Sequence, residues 1–560
     1  MDDPAPELRR DRRLTPEFAA TLLLLLAYIV WLISLPAWPS QDGPAHLYYA
    51  HVMGALLSHE PGVYAHYYTI KHLLPPYALY YYALLALSHV FSLLVADKLV
   101  VCAYLLLFTF GVRYLARAVG PNADRTTLLA LLLGLSWSVG MGFVNFCLSL
   151  AVVFWAVGLW LRFADNRLWR RAVFLLLVVA ITLTHPVPLL VLIGFCVLDL
   201  FLRAVLRHGL GKANPPASLA DLITLAFACL ALAYVRHFAT SHPLEQAQPT
   251  AASFVTLTAG HVRAMLELHN LMLIFGHTAP ITIYRVGLLL TPLVGFALAI
   301  RQWLAAGESR ARTSCTTWIV LAIALAIAVP LLPSNISNAY FFSERMTVLV
   351  WLAPLLAVAA CGRADGEARA TRSQTSGLIR ICVLMFAVIT NLSLLWAANG
   401  ILRPIAHEVT SISTDPARTG KLGMVLEDAR KPQSLRSGPA WNPFEWAAIH
   451  DIRKNDAILD NAPWLDSALI PLGATSGLPG ATLSTDDAVS PHHLSMTLQN
   501  SASARAQQIT PVDFVLIEQP GLPAPSTLDA ALASAGDDKH WNCVIAPGAW
   551  YQVCDSSGAK

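Results

Sequence analysis

Apolar runs of close to bilayer length recur along this chain, too many of them for a soluble fold to bury. A hydrocarbon core needs about 17–25 residues of helix to cross it, and backbone polar groups in lipid must be satisfied within the helix itself. Runs of that kind stand near residues 18–38, 97–116, 126–144, 147–163, 172–185, 186–204, 219–238, 284–303, 316–333, 346–361 and 378–398. Composition agrees: only 13% of the 560 residues are charged and the mean hydropathy is +0.54, whereas soluble domains carry about a quarter charged residues. The expected class is therefore an all-α polytopic membrane protein of about 11 transmembrane helices. The first run, Phe18 to Trp38, has no small-residue cleavage site and is long enough to stay as a span.

Basic clusters orient the spans, since Lys and Arg beside a span stay in the cytoplasm. Alternating the runs from a cytoplasmic N-terminal segment (1–17) puts Arg9, Arg10, Arg12 and Arg13 inside. The same alternation places Arg113, Arg117, Arg125, Arg162, Arg167, Arg170, Arg171, Arg203, Arg207, Lys212, Arg301, Arg310, Arg312, Arg363, Arg369, Arg372 and Arg380 inside. Residues 77–95 (YALYYYALLALSHVFSLLV) are apolar enough to cross, but crossing would move the later clusters outside. They read instead as a Tyr-rich helix at the interface, where Tyr favours headgroup depth. The expected layout is a membrane domain over 18–399, with an outward loop at 39–96, and a soluble extracytoplasmic domain over 400–560. The localisation that follows is the cell inner (plasma) membrane.

The net charge of +3 hides a split. Residues 401–560 hold 11 Lys+Arg against 17 Asp+Glu, and residues 1–400 hold 27 against 18. The bases sit in short clusters beside apolar runs, which points to membrane lipid and away from nucleic acid. The tail reads as a small α/β domain: Asp513–Gln519 is a buried-strand pattern, Ser526–Ala535 a short helix, and Trp541–Cys554 a hairpin turning at Pro547-Gly548. That hairpin would set Cys543 near Cys554, where an oxidising compartment lets them pair. The other seven cysteines lie in or beside apolar runs and are expected to act as small core residues.

Three stretches on the outward side concentrate polar groups. After the first span comes Trp-Pro-Ser-Gln-Asp42-Gly-Pro-Ala-His46, running on to Lys71, His72, Pro75, Pro76 and Tyr77. Gly43-Pro44 forces a turn, and Pro44 suits the first turn of a helix that holds His46 close to Asp42. A carboxylate fixed there serves either as a general base or as the cap of that helix. The second stretch holds Glu344 and Arg345 at the entrance to a span. A guanidinium at headgroup depth matches phosphate geometry, or it snorkels, or it pairs with Glu344. The third, 239–283, holds His242, His261, Arg263, Glu267, His269 and His277, whose spacings fit no tight metal-ligand motif. No metal or other cofactor is expected. His185 in THPVP and Asn145 in GMGFVNF stand near outward ends of spans.

With those residues located, the arrangement resembles the GT-C superfamily of membrane glycosyltransferases, which includes protein O-mannosyltransferases and the aminoarabinose transferases of lipid A. The resemblance is carried by Asp42 shortly after the first span, a long first outward loop, the Pro75-Pro76-Tyr77 helix start, Arg345 at a late outward-entering span, and an outward C-terminal domain. It departs from the family in having a single Asp in the first loop, Asn145 where an Asp is common, and Lys71 four positions before Pro75. The resemblance implies a sugar donor linked to polyprenyl phosphate, with a glycan, lipid or protein acceptor of the cell envelope. Asp42 then acts as base, and Arg345 with Lys71 holds the donor's phosphate. His46, His72, Tyr77 and Glu344 complete the expected substrate-binding set. A membrane exporter or accessory subunit without catalysis is the competing class. It would bury ionisable residues at mid-membrane, and the middles of these runs are nearly free of them.

Overall fold

The computed structural model describes residues 14–59, 68–163, 168–205, 210, 218–239, 251–305, 310–334, 341–361 and 374–414, with short strands between 423 and 557. The chain opens with α1 (Pro16–Ser34), α2 (Gly43–Leu57), β1 (Tyr68–Ile70), α3 (Ala78–Ser88) and α4 (Leu93–Val119). A broken stretch follows: α5 (Ala123–Ala130), a 3₁₀ turn (Leu131–Leu133) and α6 (Trp137–Gly140). Then come α7 (Val144–Trp160), α8 (Leu168–Thr184), α9 (Val187–Val205), α10 (Leu219–Ala239), α11 (Ala251–Leu266), β2 (Ile274–Phe275), α12 (Ala279–Ala305), α13 (Arg310–Leu331), α14 (Phe342–Ala360) and α15 (Gln374–Thr414).

Eight of these helices are long and apolar enough to cross a membrane alone. Side-chain contacts show how the rest run. Thr15, capping α1, donates to Asp124 in the first turn of α5 (2.8 Å), so both begin at one end of the bundle. At the other end, past α1, Gln41 N–H donates to the carbonyl of Gly140 (3.0 Å). The α5–α6 stretch therefore travels the full length in pieces. Helices α7 and α8, of 17 residues each, run between the same two ends, which gives the eleven passages the apolar runs imply. The run 126–144 differs from expectation only in being broken, at a 3₁₀ turn followed by Gly134. The last span is longer than expected: α15 continues to Thr414, past the anticipated boundary at 399.

Residues 77–95 do not cross. Helix α3 is 11 residues long, and α4 starts afresh at Leu93 at the same end. There Lys98 Nζ donates to the carbonyls of Ile33 (3.1 Å) and Leu35 (2.6 Å), satisfying the C-terminal acceptors of α1 that lipid would leave unmet. The bundle's two ends are chemically distinct. One gathers Arg113, Arg162, Arg171, Arg203 and Arg380; the other holds α2, α3 and the loop residues of interest, and is called the site end here. Exposed Leu378, Ile381, Met385, Ile389, Leu392 and Trp396 recur along one face of α15, an apolar stripe of the kind that faces lipid. Helix α14, by contrast, is buried around nearly its whole circumference. It is the central helix, and it carries Arg345.

Strands past residue 414 pair with the site end and with one another. β1 is antiparallel to β5 (Leu472–Ala474), with Tyr68 opposite Ala474, and β2 to β4 (Gly438–Pro439). A four-stranded sheet runs in the order β3 (Gly423–Leu426), β6 (Phe514–Glu518), β8 (Tyr551–Ser557), β7 (His540–Ile545). β6 falls on the expected Asp513–Gln519 strand, and β7–β8 is the expected hairpin with Cys543 opposite Cys554. The expected helix at Ser526–Ala535 lies outside the described residues. One cysteine pair goes beyond the sequence reading: Cys315 at the start of α13 and Cys361 after α14 form a disulfide. Both are buried in the core, as expected, and in addition they crosslink α13 to the end of α14. Cys102, Cys147 and Cys196 are buried thiols, as expected, whereas Cys229 and Cys382 are exposed on their helices and are not core residues.

Candidate active site

Asp42 is placed by its backbone. After Trp38 the chain runs alongside α6, where Asp42 N–H donates to the Met141 carbonyl (2.9 Å). Gly142 makes this approach possible. Its φ of +86° is a conformation that side chains disfavour, and a Cβ there would lie 2.6 Å from Gly43 N and 2.8 Å from Asp42 N. Asp42 stands at the N-cap of α2 and its carbonyl accepts from His46 N–H (3.2 Å), but its side chain makes no capping hydrogen bond. The cap reading of the carboxylate is therefore set aside. The side chain is 5% exposed.

One turn on, His46 faces α3, its Nδ1 2.9 Å from the Tyr81 hydroxyl and its ring edge-on to Tyr80 (5.4 Å). Burial, with the nearby Arg345 charge, pushes His46 down to about 4, so the ring is neutral at physiological pH. Burial also raises Tyr81, with Tyr77 and the Asp42 carboxylate adding to the effect.

Arg345 comes from the far part of the chain. Its guanidinium carbon sits 3.7 Å over the Phe143 ring and 5.6 Å from that of Phe146, and Nη1 is 3.2 Å from His185 Nε2. The cation is 7% exposed, yet its Nε has no acceptor, and among the described residues no carboxylate lies within ion-pair distance. Asp42 is close enough to act on it electrostatically. An un-neutralised buried cation is costly for a fold, and the face of an aromatic ring offsets only part of that cost. Phe341, just before α14, has φ of 57°, rare for a bulky residue. Its ring packs on Trp137 (5.6 Å) and Phe143 (6.1 Å), completing the aromatic wall behind the guanidinium.

The remaining expected residues divide. Tyr77 joins the group, its hydroxyl 3.2 Å from His185 Nε2. Glu344 turns away from Arg345: its Oε1 accepts from Ser334 Oγ (3.0 Å) and lies 3.7 Å from His261 Nε2, so the anticipated Glu344–Arg345 pair does not form. Lys71 and His72 are exposed on the segment between β1 and α3, with the His72 ring against Phe238 (5.1 Å). Asn145 folds back onto Phe146 N–H (2.8 Å). In the His-rich stretch, Arg263 and His269 both bind Glu267 (2.8 and 3.1 Å). No group of three or more metal-ligating side chains occurs among the described residues, and His242 lies outside them. His185, which had no assigned role, is the hub joining Tyr77 to Arg345. The one local signal was its setting in Thr-His-Pro-Val-Pro, where the two prolines carry no N–H and the Val187 N–H falls to the His185 ring.

No protein-family model matches the chain, and no curated protein does. Among solved structures it is similar to the cryo-EM structure of the arabinofuranosyltransferase AftD from mycobacteria, at 13% identity and a TM-score of 0.46. The likeness covers 97% of this chain and 40% of that protein, so the chain spans well under half of that protein's length. Residue roles do not carry over at that identity. The chemistry of the site rests on its own side chains: a buried carboxylate, a neutral imidazole, a phenol and an un-neutralised guanidinium at one end of a membrane bundle.

Proposed function

We propose that this protein is an integral membrane glycosyltransferase that moves a sugar from a polyprenyl-phosphate-linked donor to an acceptor hydroxyl on the extracytoplasmic face. The observation that carries this reading is the convergence of Asp42 and Arg345. More than 300 positions apart in sequence, they are buried within electrostatic reach of one another, at the end of the bundle opposite the arginine clusters. By the rule that basic clusters stay in the cytoplasm, the site faces outward.

The chemistry follows from the charges. Asp42 takes the proton of the acceptor hydroxyl as its oxygen attacks the anomeric carbon. The bond from that carbon to the phosphate oxygen breaks, the carbon inverts, and polyprenyl phosphate leaves with the bonding pair. Arg345, which has no carboxylate at ion-pair distance among the described residues, meets the charge that grows on the departing phosphate; a donor aimed at developing charge is worth about 10²–10³ in rate. His46, held by Tyr81, orients Asp42 or the sugar. Exposed Lys71 and His72 stand where a lipid-linked headgroup would approach, and the polyprenyl chain stays in the bilayer.

The test is donor turnover by the pure protein in lipid. A panel of polyprenyl-phosphate sugars is offered to wild type, Asp42→Asn and Arg345→Ala, and released polyprenyl phosphate is read by mass spectrometry. Wild type is expected to turn over one donor, with Asp42→Asn slower by about 10²–10⁴-fold, the range for a lost general base. Full activity in Asp42→Asn removes the base assignment. A folded wild type that turns over no donor favours the exporter or accessory class.

A further inference from the structure

His185 has a hydrogen-bond problem with one solution. Its Nδ1 accepts from the backbone N–H of Val187 (3.2 Å), so in the neutral ring the proton is on Nε2. That nitrogen is 3.2 Å from the Tyr77 hydroxyl and 3.2 Å from Arg345 Nη1. A ring N–H only donates, and a guanidinium N–H only donates. Tyr77 Oη is therefore the acceptor, and the approach of Arg345 to the same nitrogen is donor against donor. Two consequences follow. The Tyr77 hydroxyl, its oxygen engaged by His185, directs its own proton elsewhere. Arg345 gains no acceptor from the ring, and with buried Nε also unmet it presents at least two N–H groups without partners among the described residues.

We infer that His185 is a positioning residue: by donating Nε2–H to Tyr77 and refusing to accept from Arg345, it sets the Tyr77 hydroxyl and the Arg345 guanidinium as joint donors to one phosphate group. An anionic oxygen between them answers the phenol proton and the unmet guanidinium protons together, and it supplies a negative charge at the contact distance that no described carboxylate reaches. The Phe143 ring behind the guanidinium fixes the plane from which the N–H groups project, which suits the bidentate geometry of a phosphate ester. The ligand class is a phosphate monoester or diester at the membrane surface. The inference rests on the proposed function only for the identity of that ester as the sugar donor or its product.

The experiment is a double-mutant cycle on Tyr77→Phe and His185→Asn. Asn keeps an acceptor near the Nδ1 position for Val187 N–H and lacks the Nε2–H, so it tests the donor without removing the cap of α9. Binding of undecaprenyl phosphate, phosphatidic acid and inorganic phosphate is measured by native mass spectrometry of the full chain, and donor KM and kcat are measured alongside. Each single change is expected to weaken undecaprenyl phosphate binding about tenfold, as for one lost hydrogen bond to a charged group. The double variant should be no weaker than Tyr77→Phe alone, because His185 acts through the phenol. His185→Gln, whose amide nitrogen reaches the Nε2 position, should recover most of the loss. Additive effects, or a His185→Asn protein that binds like wild type, overturn the inference even if donor turnover is intact. A non-additive cycle in a protein that turns over no donor keeps the inference and removes the transferase reading. Tighter binding of phosphatidic acid than of undecaprenyl phosphate, with the same cycle, identifies a membrane-lipid headgroup as the source of the phosphate. Absence of binding to all three probes by folded wild type overturns it.

Discussion

The two ends of the bundle treat charge in opposite ways. At the basic end most buried charges are answered by partners, Arg125 Nε being an exception among the described residues. Arg203 binds Asp199 (2.8 Å from Nε) and Asp221 (3.3 Å); Arg171 binds Asp221 (2.8 Å); Arg113 binds Asp124 (2.7 Å); and Arg380 grips both oxygens of Glu17. Trp160 and the Leu210 N–H complete the shell around Asp199 (2.8 Å each). At the site end, Arg345 is as buried as Arg203 and has no such carboxylate among the described residues. A fold neutralises the charges it uses as staples. A buried cation with no carboxylate at ion-pair distance, as Arg345 is among the described residues, is suited to an anion brought by a ligand.

That contrast can be broken by experiment, and the largest effect belongs to the basic end. Arg203→Met strands Asp199 in an apolar setting, and breaking a buried pair by removing one partner costs about 3–5 kcal/mol. The variant should melt far lower in detergent, and Asp199→Asn added to it should recover part of the loss. Arg345→Met should instead keep its melting temperature while losing transfer. If the two arginine variants melt alike, the two ends are not different in kind.

A smaller effect sharpens the site end. Gly142→Ala forces a Cβ against the backbone of Asp42 and Gly43 and asks an L-residue to hold a positive φ. A few kcal/mol of destabilisation is expected, about 1–3 from the backbone strain alone. Transfer should fall more than the melting temperature predicts, because Asp42 itself is displaced. Unchanged kcat in a folded Gly142→Ala protein would mean that the position of Asp42 is not set here.

The smallest effect is a matter of pH. His46 is held near 4 in the folded chain against an ordinary 6.5, so the unfolded chain takes up that proton first. The stability carried by the neutral ring is complete above about pH 6.5 and drains away as pH falls toward 4. Melting temperatures followed from pH 7.5 to 4.5 should drop less in His46→Gln than in wild type. An equal drop in both proteins would show that the ring is not held neutral.

Much of the fold was legible in the sequence, because lipid imposes a length and arginines mark one end of each run. The break within 126–144 was not: Gly134 and Ser136 sit in an apolar run that hydropathy reads as continuous. At the site, Asp42, His46, Tyr77 and Arg345 were legible as polar groups stranded at the ends of spans. His185 was visible only as a helix-end polar residue, since its partners are 108 and 160 positions away and nothing local announces them. Glu344 misled for the opposite reason. It adjoins Arg345 in sequence, but on a helix adjacent residues point about 100° apart, so it meets Ser334 and His261 instead. The Cys315–Cys361 pairing was equally beyond reach, being set by how α13 packs on α14.

The pairing of β1 with β5 has a consequence for how the molecule is made. Tyr68 leaves the ribosome long before its partner, Ala474. At about 5–20 residues per second, the 405 intervening residues take roughly 20–80 s to synthesise. Through that interval the first loop stands finished but unmatched, its strand edge open at the membrane surface, while ten further passages are threaded beside it. A nascent chain arrested before residue 472 should therefore expose that edge, because the strand of the first loop finds its partner only in a part of the protein that appears late.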